Sequence, residues 1–197
     1  MKRDFLFHHG RLSLSFVGTV GQRTSDRIER IGTPAALADW FVAAGIEPAA
    51  IDVSMAAYRR ALRLRDALER AVEAARRGEA PSSSDVATIN AVARAHPARL
   101  QLDPASMTVV SAASERTGAA LGRIARDAIE LLGTPDERGR LRICGLDSCG
   151  SLFLTPAGRR ERRWCSMERC GNRAKVASFR ERAQPAKAHA ARSTRAK

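Results

Sequence analysis

Aromatic side chains are scarce in this sequence: six Phe, two Trp and one Tyr amount to 5% of 197 residues. That scarcity disfavours an all-β sandwich, because the 44% of apolar residues must then build a core on Leu, Ile, Val and Ala, a mixture suited to packed helices. Long apolar runs are missing as well, and none approaches the ~18 residues that a membrane-spanning helix needs. The opening MKRDFLFHHGRLSLSF has a basic flank, yet His8, His9, Gly10 and Arg11 interrupt the apolar stretch before it reaches signal-peptide length. A cytoplasmic protein is therefore expected, nucleoid-associated if it binds DNA. Cysteine is limited to four residues, which in a reducing compartment hold metal more often than they form disulfides. Lysine is nearly absent, with four Lys against thirty Arg. The bias suits guanidinium forks that grip oxyanions, although a GC-rich bacterial genome, which would also explain the abundant Ala, produces the same composition.

What is present in excess is positive charge, and it is concentrated at one end. The formal net charge is +13, but residues 1–137 carry a balance of +1 and residues 138–197 one of +12. If the cysteines bind zinc as four thiolates, about +10 is left in that final segment. Such a segment is built for an anionic partner.

The patterning divides the chain into a helical part and a small appendage. Leu12 to Val20 has apolar residues at Leu12, Leu14, Phe16 and Val20, the period of a strand or extended anchor. Thr33 followed by Pro34 predicts a helix start, with Leu37, Trp40 and Phe41 on its buried face and Gly45 at its end. Asp52 is the expected cap of a long central helix running to Arg77, whose stripe is Ala57, Ala61, Leu64, Leu68, Ala71, Val72 and Ala75. Ser84 is the expected cap of a helix over 85–95, which His96-Pro97 terminates. The short apolar runs on either side of Asp103-Pro104-Ala105 predict a small hairpin between Arg99 and Ser111. A further helix spans Ser114 to Leu132, and GTPDERGR, residues 133–140, has the composition of a linker. The fold class is thus mainly α: a multihelical domain over 1–136, a small four-cysteine zinc module over 137–183 of treble-clef or zinc-ribbon type, and a disordered basic tail over 184–197.

All four cysteines fall within 27 residues, as Cys144-x4-Cys149, a 15-residue interval, and Cys165-x4-Cys170. Two chelating pairs around a short β-like segment, Leu152-Phe153-Leu154, are what tetrahedral zinc requires. Four protein ligands leave no open coordination position, so one structural Zn2+ is expected rather than a catalytic one. A module this small lacks apolar mass, and Trp164 is expected in its minimal core rather than as a base-stacking platform. A helix from Met167 to Arg182 should follow, with Gly171 and Asn172 in the turn around the last ligand and Val176 and Phe179 facing the zinc knuckles. Arg169, Arg173 and Arg180 then share a face, with Lys175 and Arg182 at another edge and Arg159, Arg160, Arg162 and Arg163 on a loop nearby. The residues expected at nucleic acid are Arg162, Arg163, Arg169, Arg173, Lys175 and Arg180 at phosphates, with Asn172 either capping the helix or reaching a base edge.

The stretch Arg142 to Arg182 closely resembles the CGNR zinc finger, whose name is the tetrad found here as Cys170-Gly171-Asn172-Arg173. The match extends over Trp164-Cys165-Ser166-Met167 and on to Ala174-Lys175. It departs at Thr155, where the finger usually has an acidic residue, so a hydrogen bond or salt bridge to the arginine-rich loop is expected to be missing. The opening Leu12-Ser-Leu14-Ser-Phe16-Val17, with Thr19 beyond it, and the later Leu37-Ala-Asp-Trp40 resemble the first motifs of the ABATE domain, with Ser15 and Gly18 in place of the usual Asp and Asn. The resemblance implies a stress-induced bacterial transcription regulator.

Nucleic acid is accordingly the expected partner, DNA in preference to RNA because exposed aromatics for stacking single-stranded bases are few. A protein-interaction module stays as an alternative, and the helical domain would sense an unknown small-molecule effector or form a homodimer. No spacing joins His8, His9 or His96 to a nucleophile or carboxylate in a catalytic motif, so an enzyme is not expected.

Overall fold

A computed structural model describes residues 5–95, 97, 100–111, 116–158 and 161–183. The expected features at His96, Arg99, Ser114, Arg159, Arg160 and the basic tail lie outside the described residues. Within them the chain forms seven helices: α1 Leu12–Val17, α2 Pro34–Ala43, α3 Met55–Arg76, α4 Ser83–Ala93, α5 Arg116–Gly133, α6 Pro135–Arg138 and α7 Asn172–Ala183. Three two-stranded antiparallel ladders accompany them: β1 Val20–Gly21 with β2 Ile28–Glu29, β3 Leu100–Asp103 with β4 Thr108–Ser111, and β5 Leu141–Ile143 with β6 Leu152–Leu154.

The starts of α2, α3 and α4 follow from local chemistry. The Thr33 hydroxyl oxygen accepts the Ala36 N–H at 3.1 Å with Pro34 in the first turn, and Gly45 follows the helix end at φ +66°. The central helix α3 starts at Ser54, not at Asp52. Ile51 and Val53 are buried in the core and hold the chain extended through that stretch, so the first free side chain in capping position is Ser54, which accepts from Ala57 N–H. Similarly α4 is capped by Ser82 and not Ser84. Ser82 Oγ accepts from Asp85 N–H and donates to Asp85 Oδ2 at 2.8 Å, a reciprocal cap that Ser84 lacks the spacing to make. Asp85 also receives the Arg70 guanidinium at 2.6 Å, which ties α4 to α3 and holds the Asp85 carboxyl below its usual range.

The Leu12–Val20 segment departs furthest from its expected form. Its first six residues are the helix α1, and only Val20–Gly21 is extended. The alternation of Leu and Ser imitates a half-buried strand, but here the serines are buried too. Ser13 N–H and Oγ both bind Asp127 Oδ2 of α5, at 2.8 and 2.6 Å, and Ser15 Oγ donates to the Arg11 carbonyl one turn back. With its polar side chains paired, a short helix can sit wholly inside the core.

That core lies between α1, α2, α3, α4 and α5, and its largest fully buried side chains include Trp40, Phe16, Phe41, Leu64 and Ile124. Phe16 and Trp40 are tilted rings 5.2 Å apart. An ion pair ties its edge: the buried Arg65, 3% exposed, grips both oxygens of the more exposed Glu29 at 2.7 and 2.6 Å and also reaches Thr19 Oγ1. Residues 133–140, read as a linker, contain the one-turn helix α6, so the connection to β5 is short and stiff. Leu141, Leu152 and Leu154 belong to this same core, so the β5–β6 hairpin is packed on the helical domain. The backbone joins as well: Leu154 N–H donates to the His9 carbonyl at 2.8 Å, and Gly10, at φ +89°, passes so close that a Cβ would stand 3.0 Å from the Leu154 oxygen.

Candidate metal centre and nucleic-acid interface

The β5–β6 hairpin opens into the first cysteine pair. Cys144 N–H donates to the Ser151 carbonyl at 2.9 Å, extending the ladder by one step, and Cys149 N–H closes a tight turn on the Leu146 carbonyl. The second pair stands at the start of a helix. Ser166 Oγ accepts the Arg169 N–H, and a π-helical turn over Met167–Gly171 carries Cys170 into α7. A hairpin knuckle facing a helix start is the treble-clef form of the two expected from the sequence. The two halves meet through Gly145, whose N–H donates to the Arg163 carbonyl at 2.8 Å; a Cβ there would lie 2.9 Å from Arg163 Cγ and 3.2 Å from its carbonyl oxygen, so a side chain at 145 would push the Arg163 side chain aside.

The four sulfurs converge. All lie within 4.8 Å of one another, the four side chains are buried, and every cysteine is free of disulfide. Cys149, Cys165 and Cys170 stand 3.8, 3.6 and 3.6 Å apart. These separations are far beyond an S–S bond of about 2.05 Å. They match the edge of a tetrahedron, about 3.8 Å, that results from Zn–S bonds of about 2.3 Å. The site fits one structural zinc ion.

The electrostatics of the thiols carry the same message. Hydrogen bonds from Cys144 and then Cys165 hold Cys149 far below the usual thiol range, helped by the Ser151 hydroxyl 3.2 Å away. Cys165 is pushed up by its Cys144 and Cys149 contacts, and Cys170 rises to about 12 through burial and the neighbouring Cys149 charge. Crowding thus favours the thiolate at Cys149 and opposes it at Cys165 and Cys170, and a zinc ion in their midst offsets that opposition. Around the sulfurs are Phe153, fully buried, with Leu146 and Trp164 against them. Trp164 therefore packs on the metal centre as expected.

The helical domain also holds this centre. Arg23 N–H donates to the Cys149 carbonyl at 3.1 Å, Ser25 Oγ donates to the Ser148 carbonyl at 3.1 Å, and Thr24 Oγ1 donates to the Asp147 carbonyl. Gly150, at φ +62°, faces Arg23 so closely that a Cβ would meet Arg23 Cβ at 3.1 Å. Nothing in the local pattern of Gln22 to Asp26 announces this clamp, because its targets are more than a hundred residues away.

The residues expected at nucleic acid fall into two groups. Arg169, Asn172, Arg173 and Arg180 line one open groove along α7 together with Val176. Lys175 is exposed outside that groove, and Arg163 is exposed with its guanidinium 5.4 Å from the Trp164 ring centre. Arg162 is half-buried: it donates to the Leu154 carbonyl at 3.0 Å and lies over the Phe153 ring at 5.1 Å. Ser166 rather than Asn172 caps the turn, and Asn172 presents its side chain to solvent. Val176 and Phe179 do not face the knuckles. They are 49% and 67% exposed, because α7 leaves the module after its first turn and packs on little beyond the turn that starts it.

His8 and His9 stack at 4.5 Å beside the finger. Burial pushes His9 down to about 3, and its ring closes over Gly18, where a Cβ would come within 2.4 Å. The Ser15 and Gly18 positions are therefore occupied for local reasons: a small residue is needed under the His9 ring, and a hydroxyl closes the turn of α1. Among the described residues no helix is long and apolar enough to cross a membrane.

Comparison with curated proteins finds no match. Two protein-family models do match: the CGNR zinc finger over residues 140–183, and ABATE, described as "Putative stress-induced transcription regulator", over residues 10–135. Neither description is that of an enzyme. With more than half of its length in the ABATE match, and a CGNR zinc finger behind it built on Cys144, Cys149, Cys165 and Cys170, the chain belongs to the ABATE family.

Proposed function

We propose that this protein is a zinc-containing bacterial transcription regulator that binds duplex DNA through α7 and the loop before it, with the helical domain as sensor or dimerisation unit. The observation that carries the reading is the setting of α7. The π-helical turn that leads into it carries the ligand Cys170, and the groove along its exposed side gathers Arg169, Arg173 and Arg180 with Asn172 among them. A helix of twelve residues that packs on almost nothing is marginal alone, so it gains its order from the zinc centre at its start. Guanidinium groups at that spacing suit phosphates along one groove edge, and the exposure of Asn172 supports a contact with a base edge. Lys175 and Arg163 extend the basic surface. The half-buried Arg162 acts as a brace for β6 and contributes its charge at longer range.

Val176 and Phe179 favour a second reading, a helix that docks on another protein, since two large apolar side chains stand exposed three residues apart. One experiment separates the readings: fluorescence anisotropy of the zinc-loaded protein with labelled duplex DNA, duplex RNA and single strands across a salt series, with Cys165→Ser as control. Tightest binding to duplex DNA, with a steep salt slope that the variant loses, supports the regulator. Preference for RNA moves the target, and no binding above that of a scrambled basic peptide leaves the docking helix.

A further inference from the structure

The helical domain and the finger enclose a cleft of about 480 Å³ between an N-terminal strap, residues 7–11, and α6 and β6. Its size falls within the range of small-molecule sites, and domain junctions are where such sites concentrate. Phe7, Leu154 and Pro156 give it an apolar wall, and Arg140 and Arg162 stand on its polar side with Thr155.

Three polar atoms here have no protein partner. Thr155 is 5% exposed, yet its Oγ1, the one polar side-chain atom it has, is buried without a hydrogen bond. Arg162 Nε is likewise buried without an acceptor, and among the described residues Arg162 has no carboxylate partner. Glu137 Oε2 completes the set. An unpaired buried hydroxyl and an unpaired guanidinium N–H each carry a desolvation cost that one oxyanion would relieve together. Arg11, also at the cleft, is already occupied by Asp127 and Glu130, so the cation left for a ligand is Arg162, with Arg140 beside it.

We propose that this cleft binds a small organic carboxylate. The carboxylate group takes the Thr155 hydroxyl and the Arg162 Nε–H, and the short apolar body lies against Phe7, Leu154 and Pro156. Glu137 is already paired with Arg11 and Arg140; the two open donors match the two oxygens of a carboxylate, and the third oxygen of a phosphate ester would find no donor there, so a carboxylate head is accepted in preference. The site joins the two halves of the chain, because Arg162 and Thr155 belong to the finger, Phe7 to the N-terminal strap and Glu137 to α6. A bound acid would therefore stiffen the seat of the finger on the helical domain.

The test uses the full-length, zinc-loaded protein, with isothermal titration calorimetry and thermal unfolding in benzoate, hexanoate, phenyl phosphate and the neutral analogue benzamide. Saturable binding of benzoate or hexanoate is expected, with a raised unfolding midpoint, weaker binding of phenyl phosphate and none of benzamide. Thr155→Val keeps the shape and removes only the unpaired hydroxyl. It should leave the ligand-free midpoint unchanged or higher while weakening the carboxylate about tenfold. Arg162→Gln should abolish binding, and Thr155→Val decides the matter if that second variant does not fold. The proposal is overturned if neither carboxylate binds up to about 10 mM, if benzamide or phenyl phosphate binds as well as benzoate, or if Thr155→Val binds like the unaltered protein. No nucleic acid enters the readout, so loss of this proposal leaves duplex binding standing, and the reverse also holds.

Discussion

Between residues 12 and 133 the side chains that leave solvent are Trp40, Phe16, Phe41 and layers of Leu, Ile and Ala, whereas at the metal centre they are four cysteines around Phe153. The first region can gain its folding free energy from apolar area alone. The second has too little of it and depends on a metal. The division is not at the domain connection, however. Leu141, Leu152 and Leu154 lie in the large core, so the hairpin of the finger is held by burial and only the knuckles and α7 are held by zinc.

That contrast can be broken most severely by removing the metal. Cys165→Ser, or chelation of the native protein, should cost the knuckles on the order of 10 kcal/mol of metal-derived folding energy. Far-ultraviolet circular dichroism should lose about the helical signal of α7, Trp164 fluorescence should change, and the cooperative transition of the helical domain should persist. A single transition that vanishes entirely would mean that the two regions do not stand apart.

The converse test attacks the apolar side. Trp40 is fully buried among Phe16, Phe41 and Phe7. Trp40→Ala should destabilise the helical domain by about 3–5 kcal/mol in urea unfolding, and the β5–β6 hairpin should be lost with it because their core is shared. Hydrogen exchange at Leu141 and Leu154 would report that coupling.

A smaller effect concerns pH. Burial lowers the His9 pKa to about 3, so between that value and about 6.5 the unfolded chain binds a proton that the folded chain refuses. Folding stability should then fall as pH drops below about 6.5, with the loss growing toward pH 3. His9→Gln should flatten this slope over about pH 7 to pH 5, measured by denaturant midpoints at matched zinc saturation. An unchanged slope would mean that the acid sensitivity belongs to the thiolates.

The smallest change is expected on the exposed face. Arg173→Ala should leave the fold intact, weaken duplex DNA modestly and reduce the salt slope of binding by about one unit. Arg162→Ala, by contrast, should be felt mainly as a stability loss, because its guanidinium braces the Leu154 carbonyl. Equal effects on binding from both would erase the distinction between brace and contact.

The cysteine spacing, the Thr33-Pro34 start and the apolar stripe of α3 were legible because each is a pattern within a few residues, repeated on one face or one turn. Leu12 to Val17 misled because the period of two was made by serines that are paired inside the core, Ser13 with Asp127, an acceptor invisible from that segment, and Ser15 with the Arg11 carbonyl. The outward course of Val176 and Phe179 was equally hidden, since apolar residues on a helix announce a face without announcing what lies opposite.

The sequence by itself determined the metal: Cys144, Cys149, Cys165 and Cys170 form knuckles whose geometry is local to each pair, and the charge around them is counted, not folded. Only the tertiary structure decided that Arg23 to Ser25 clamp the first knuckle, that Arg162 braces β6 while Arg173 faces outward, and that Phe7, Glu137 and Thr155 share one cleft. Those contacts join residues far apart along the chain, so they exist only where the common core fixes both sides.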